Sequence, residues 1–162
     1  MCVLLACLVP ALLAGALMLP LLPPSLVASS GGRVLYAKFV GDRQLEVSFR
    51  HSINKGYVRE IYRIDPETCR LTLEQGRFQS FGAGMIDTVQ TSEGLNFRQE
   101  GDYYVLDFPP DWQEAVSYIG GDIAGHVLHY GGEEIPFGTH YPRQPFTLKV
   151  VRRRNLECLI TR

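Results

Sequence analysis

The sequence predicts an all-β fold: a single antiparallel β-sandwich or small barrel, preceded by an N-terminal hydrophobic targeting or anchor segment. Three observations carry this. From Arg33 onward apolar and polar residues alternate with a period of two rather than 3.6. Turn signals recur roughly every 8 to 15 residues, a spacing typical of sandwiches and small barrels. The first charged side chain is Arg33, so everything before it is set apart in composition. These divide the chain into residues 1–30, a signal peptide or transmembrane anchor, and residues 31–162, a β-rich domain.

The strands follow in order. Leu45, Val47, Phe49 and His51 alternate with Glu46, Ser48 and Arg50, and Val58, Glu60, Tyr62 and Ile64 alternate with Arg59, Ile61 and Arg63. Leu71 and Leu73 continue the pattern. Tyr103 to Phe108, His126 to Tyr130 and Phe146 to Val151 are short runs rich in β-branched and aromatic residues. Turns are marked by Gly41-Asp42, Asn54-Lys55-Gly56, Asp65-Pro66, Glu93-Gly94, Pro109-Pro110-Asp111, Gly120-Gly121-Asp122 and Gly131-Gly132. Trp112 to Ile119 reads equally as a short helix or a strand.

Composition narrows the function classes. Of 162 residues, 16 are Lys or Arg and 17 are Asp or Glu, giving a net charge of −1, which argues against a dedicated nucleic-acid binder. A 20% share of charged residues with abundant aromatics argues against disorder. The 132 residues after position 30 hold every aromatic side chain and all four histidines, enough to bury a core unaided.

Cys2 to Leu22 carries no charge. A run of about 20 apolar residues spans a bilayer, whereas a signal peptide needs about 7 to 15 followed by small residues, here supplied by Val27-Ala28-Ser29-Ser30. Cleavage, a retained anchor and a buried core helix all fit the run; cleavage would start the mature chain near Ser29 to Gly31. Either of the first two readings places the domain in the periplasm or at the outer face of the cytoplasmic membrane. Arg33, Lys38 and Arg43 pull the other way on the positive-inside rule. Cys69 and Cys158 are an even pair and so a possible disulfide, closing a loop worth on the order of 4 kcal/mol; two buried free thiols are the alternative.

His51 and Glu60 are the sharpest candidate pair. Taking Ser52 to Tyr57 as the connecting loop, Phe49 opposes Glu60 and His51 lies on the diagonal, about 7–8 Å away at Cα. The pair reads either as a carboxylate-ligand or titrating site, or as a satisfied core pair that fixes the hairpin. Ser52 points to the opposite face from His51 and is no nucleophile. Gly82-Ala83-Gly84 lacks the third glycine of a dinucleotide loop, since position 87 is Asp, and reads as a strand-end bulge or a ligand-facing loop. His126 and His129, three apart on a strand, point to opposite faces and cannot share one ion, although His140 could reach either. Arg152-Arg153-Arg154 reads as a solvated edge or a contact for anionic lipid. No catalytic residue, metal ligand set or cofactor is assigned.

Three segments in order carry a resemblance: His51-Ser52 with Glu60-Ile61-Tyr62, then Phe78-Gln79-Ser80-Phe81-Gly82-Ala83-Gly84, then Gly125-His126-Val127-Leu128. Together they resemble domain-of-unknown-function family 1850, over about Leu45 to Val150. The family usually has a proline near Tyr57, where this chain has Gly56. The resemblance implies a small exported or membrane-tethered protein that accompanies tripartite ATP-independent periplasmic transporters, with the permease or its solute-binding subunit as partner. It implies no catalytic residue. The leading expectation is therefore a non-enzymatic accessory protein; the alternative is a β-sandwich that binds a small solute itself through His51, Glu60 and the Gly82–Gly84 loop. A metal-dependent enzyme is a third and weaker class.

Overall fold

The computed structural model describes residues 23–53, 55–79, 95–119 and 124–152. Eleven strands in these segments build two antiparallel sheets: β1 (Ser25–Ser30), β2 (Arg33–Phe39), β3 (Gln44–Arg50), β4 (Tyr57–Asp65), β5 (Arg70–Phe78), β6 (Asn96–Glu100), β7 (Tyr103–Asp107), β8 (Ala115–Tyr118), β9 (Val127–Tyr130), β10 (Glu133–Ile135) and β11 (Phe146–Val151), with one short helix, α1 (Phe137–His140). One sheet runs β2-β1-β11-β8 and the other β10-β9-β3-β4-β5-β7-β6. The sandwich alternative of the sequence reading is the one found, and no barrel closes. Trp112 to Ile119 resolves as a strand, β8.

The core lies where the sheets face each other. Leu26, Ala28, Phe146, Leu148, Val150 and Tyr118 come from the smaller sheet. Leu45, Val47, Tyr62, Ile64, Leu71, Leu128 and Tyr130 come from the larger, and Phe137 of α1 packs among them. Alternation along each strand supplies this face, as in β4, where Val58, Tyr62 and Ile64 are buried while Tyr57 and Arg63 are exposed.

The outer face of the larger sheet is an ion-pair lattice. Arg59 Nε donates to Glu46 at 2.7 Å, Arg63 pairs with Glu74 at 3.1 Å, and Arg77 with Glu100 at 2.6 Å, while Arg98 bridges Glu100 and Asp107. Cross-strand pairs of opposite charge on a solvated face add a few tenths of a kcal/mol each. They fix register more than they add stability.

One boundary moves. Ser25–Ser30 lies inside the segment assigned to targeting, yet it is a central strand flanked by β2 and β11, with Leu26 and Ala28 fully buried and Val27 nearly so. Gly31 and Gly32, at φ +53° and +81°, make the two-residue turn into β2, closing the pair Ser30–Arg33. Two consecutive positive-φ residues define the turn type that matches strand twist, and glycine meets it without strain. The folded domain therefore starts no later than Ser25. Among the described residues no helix is long and apolar enough to cross a membrane.

Candidate functional site

The hairpin of β3 and β4 sets the site. Its register pairs Phe49 with Val58 and Val47 with Glu60, not Phe49 with Glu60 as the six-residue loop implied. The loop is shorter because His51 closes it: its N–H donates to the Gly56 carbonyl at 2.9 Å, and its carbonyl accepts from Lys55 N–H at 3.1 Å. The His51 ring turns onto its own loop, where Nδ1 accepts from Ile53 N–H at 3.3 Å. Lys55 takes φ +58° in this turn. Glu60 is carried two residues deeper, opposite Val47, and no hydrogen bond joins it to His51. The expected His51–Glu60 pair is thus corrected: each residue is satisfied, but by other partners.

Glu60 instead meets two tyrosines. Tyr62, on the same strand and face, donates its hydroxyl to Glu60 Oε2 at 2.9 Å, and Tyr118 of β8 donates across the core to the same oxygen at 2.6 Å. The two phenol oxygens are themselves 2.9 Å apart. Two hydroxyl protons thus serve three oxygen–oxygen contacts in a small polar triangle between the sheets. Burial, and then the Glu60 charge, pushes both phenols well above the ordinary range, so they stay protonated and act as donors. Such a triangle clamps a carboxylate; neither phenol is a base near neutral pH.

Aromatic rings wall the triangle. Phe49, Phe146 and His126 lie 6.2, 5.2 and 5.2 Å from the Tyr118 ring, and Phe137 stacks on Phe146 at 4.5 Å. His126 is 5% exposed, and burial lowers its pKa. It is therefore neutral in the folded state at neutral pH. A depressed folded value means the unfolded chain binds the extra proton, so its contribution is present above the unfolded value of about 6.5 and lost as pH falls from there through the folded value. Stability measured by urea denaturation should decline over that interval, and His126→Gln should flatten the decline; an unchanged slope would refute this.

Helix α1 holds His126 in place. Gly138 N–H donates to the His126 carbonyl at 3.0 Å, and a Cβ on Gly138 would stand 2.5 Å from Gly125 Cα and 2.9 Å from His126 N. Both obstacles are backbone and cannot swing aside. Gly138→Ala should cost about 1–3 kcal/mol, read as a lowered denaturation midpoint at unchanged slope.

His129 points the other way, as strand alternation requires. Its Nε2 lies 2.8 Å from Ser48 Oγ, and its Nδ1 lies 3.4 Å from Glu134. Among the described residues no group of three His, Cys, Asp or Glu side chains could hold a metal ion. Cys69, half-buried at φ +56° in the β4–β5 turn, forms no disulfide among the described residues. Its proposed partner Cys158 lies outside the described residues, as do Gly82, Gly84, Arg153 and Arg154. Shallow hollows open on the outer face of the larger sheet. One, of about 330 Å³, is lined by Gln44, Arg63, Glu74, Gln75, Asp107 and Phe108 among others. Another, of about 350 Å³, lies beside His129 and Glu134.

Sequence reasoning found Glu60 but missed Tyr62 and Tyr118 as its partners. Tyr62 was legible, since it stands two residues from Glu60 on one strand face; Tyr118 was not, because only the packing of the two sheets brings it there.

Fold and site together define a two-sheet antiparallel sandwich with a tyrosine-clamped carboxylate at its centre. Residues 45–137 match the family described as Domain of unknown function (DUF1850). That is 93 of the 162 residues, and the chain belongs to this family. No curated protein and no solved structure matches it. The matched stretch holds the larger sheet except Gln44, together with β8, and leaves out β1, β2 and β11.

Proposed function

We propose that this protein is a non-enzymatic accessory domain held outside the cytoplasm, working with a tripartite ATP-independent transporter through the permease or its solute-binding subunit. The observation that carries the accessory reading is the filled interior. Glu60, a carboxylate aimed between the sheets at the candidate site, has Tyr62 and Tyr118 as its partners, and aromatic rings occupy the space around them. Action is left to the surface. The transporter as partner is supported by the resemblance of the His51–Tyr62, Phe78–Gly84 and Gly125–Leu128 segments alone. Co-expression of the full chain with a permease and its binding protein, followed by purification in mild detergent, should yield a reproducible complex; its repeated absence would overturn the proposal.

A second reading has one observation of its own. The hollow beside Gln75 and Asp107 has the volume of a small-solute site and offers amide, carboxylate and guanidinium groups over an apolar floor of Ile61, Leu73 and Phe108. A direct binder gains about 2.7 kcal/mol of stability at ligand concentrations 100 times the dissociation constant. A thermal-shift screen with organic acids and amino acids should show no such gain if the accessory reading holds.

A further inference from the structure

We propose that the outer face of the larger sheet carries a shallow groove for a linear, uncharged glycan, laid across the strands between Asp107 and Glu134. This rests on the second reading above, a solute site on this face, and not on the transporter partner.

Strand register builds the groove. Glu134 of β10 stands opposite His129 of β9, His129 opposite Glu46 of β3, and Glu46 opposite Ile61 of β4. Ile61 in turn faces Gln75 of β5, and Gln75 faces Asp107 of β7. Six neighbouring strands thus give one side chain each to a single cross-sheet row, polar everywhere but at Ile61. Five interstrand steps make the row about 24 Å long.

A bulge deepens it at β5. Ile61 pairs with Gln75 while Tyr62 pairs with Leu73, which leaves Glu74 without a partner position on β4. The extra residue bends the strand and re-aims its side chains. One hollow covers the Gln75–Asp107 end and another the His129–Glu134 end, and Gln44 and Ile61 line both. A further hollow, of about 520 Å³, adjoins through Gln44, Arg63 and Glu74. The hollows share walls along the row, and together they are longer than a single small solute needs.

Chemistry selects the ligand. The charged groups along the row are already matched within the protein: Arg59 Nε lies 2.7 Å from Glu46, Arg63 Nε lies 3.1 Å from Glu74, and Arg98 holds Asp107. A dicarboxylate or a zwitterion has to break such a pair to find a partner for its own charge. A hydroxyl group does not, because it donates to a carboxylate lone pair and accepts from an amide N–H at once. The groove offers these two functions side by side. The Gln75 amide donates to Asp107 Oδ1 at 2.8 Å, and the Gln44 amide lies 3.5 Å from Glu74 Oε2. Amide–carboxylate couples of this kind match vicinal hydroxyls.

Spacing points the same way. Neighbouring strands recur about every 4.8 Å, close to the advance of a linear glycan per sugar ring. An extended peptide instead repeats its like-facing side chains about every 6.8 Å. Trp112, the only tryptophan in the chain, lies exposed beneath the Arg63 guanidinium at 5.5 Å, at the rim of the groove. It is a built-in reporter of occupancy.

Titration of the full chain, held in a detergent with no sugar headgroup, decides the matter through Trp112 fluorescence. Cellohexaose and chitohexaose are the probes, with the matching disaccharides as short controls. At least one hexamer should bind about tenfold more tightly than its disaccharide, because contacts along the row engage together. Gln75→Ala should weaken that hexamer about fivefold, the loss of one hydrogen bond to a neutral group, at an unchanged urea midpoint. Lys149→Ala, exposed on the smaller sheet, should change nothing. Hexamers bound no better than their disaccharides, or indifferent to Gln75→Ala, would overturn the proposal. If succinate or glutamate alters the fluorescence and no oligosaccharide does, the glycan assignment falls while a small-solute site stands; if nothing binds, both fall.

Discussion

A chain that starts at Gly31 should not fold, whereas one that starts at Pro23 should. Residues 1–30 look dispensable by composition, but their last six form β1, which buries Leu26, Val27 and Ala28 between two neighbours. Leu26 and Val27 alone represent about 3–6 kcal/mol of transfer free energy. Their loss also strips β2 of its only sheet neighbour and leaves one side of β11 unpaired. Against a total stability of about 5–15 kcal/mol for a domain of this kind, that is decisive. Far-ultraviolet circular dichroism with urea titration should give a cooperative transition for the longer chain and none for the shorter. The single change Leu26→Ala should cost about 2–5 kcal/mol in the longer chain. A cooperative transition from the Gly31 start would show that β1 is dispensable.

Removing the Tyr118 hydroxyl should cost the fold more than removing that of Tyr62. Tyr118→Phe keeps the ring stacked on Phe146 at 5.2 Å but takes away the 2.6 Å bond to Glu60. A hydrogen bond to a charged group contributes about 1.5–3 kcal/mol, and the carboxylate left behind is between two sheets, where water replaces the lost donor poorly. Tyr62→Phe should cost less, because the shorter Tyr118 bond survives it. The double variant should depart from the sum of the singles, since both hydroxyls serve one oxygen. Urea midpoints decide the matter: a Tyr118→Phe chain as stable as the parent would mean that the triangle contributes nothing to the fold.

Much of the larger sheet was legible, and so was β11 of the smaller one. β3, β4, β7, β9 and β11 show period-two alternation or β-branched and aromatic runs because one face of each is core, and only β11 matches its run at both ends. What was hidden had physical reasons. β6 and β10 are sheet edges with mostly exposed residues, so no alternation marks them. Helix α1 spans four residues, barely one turn, too short to show a 3.6 period. β1 was concealed because strand and targeting signal want the same thing, an uncharged run followed by small residues; Gly31-Gly32 is the hairpin signal that separates them. The site was half legible. Parity put Glu60 on the inner face correctly, since a two-residue slip preserves the face. The slip nevertheless changed its cross-strand partner from Phe49 to Val47.

Pairing of β1 with β11 has a consequence for timing. Ser25 meets Val151, so the first strand of the domain completes its ladder with the last. The larger sheet needs no residue beyond Ile135 and can assemble while the tail is still being made. The smaller sheet must wait for β11, and contacts so distant in sequence are slow to form. Until then Leu26 and Ala28 have no permanent shelter, and the apolar inner face of the larger sheet stands uncovered. A chain emerging from a ribosome thus keeps that face open until β11 arrives to pair with β1.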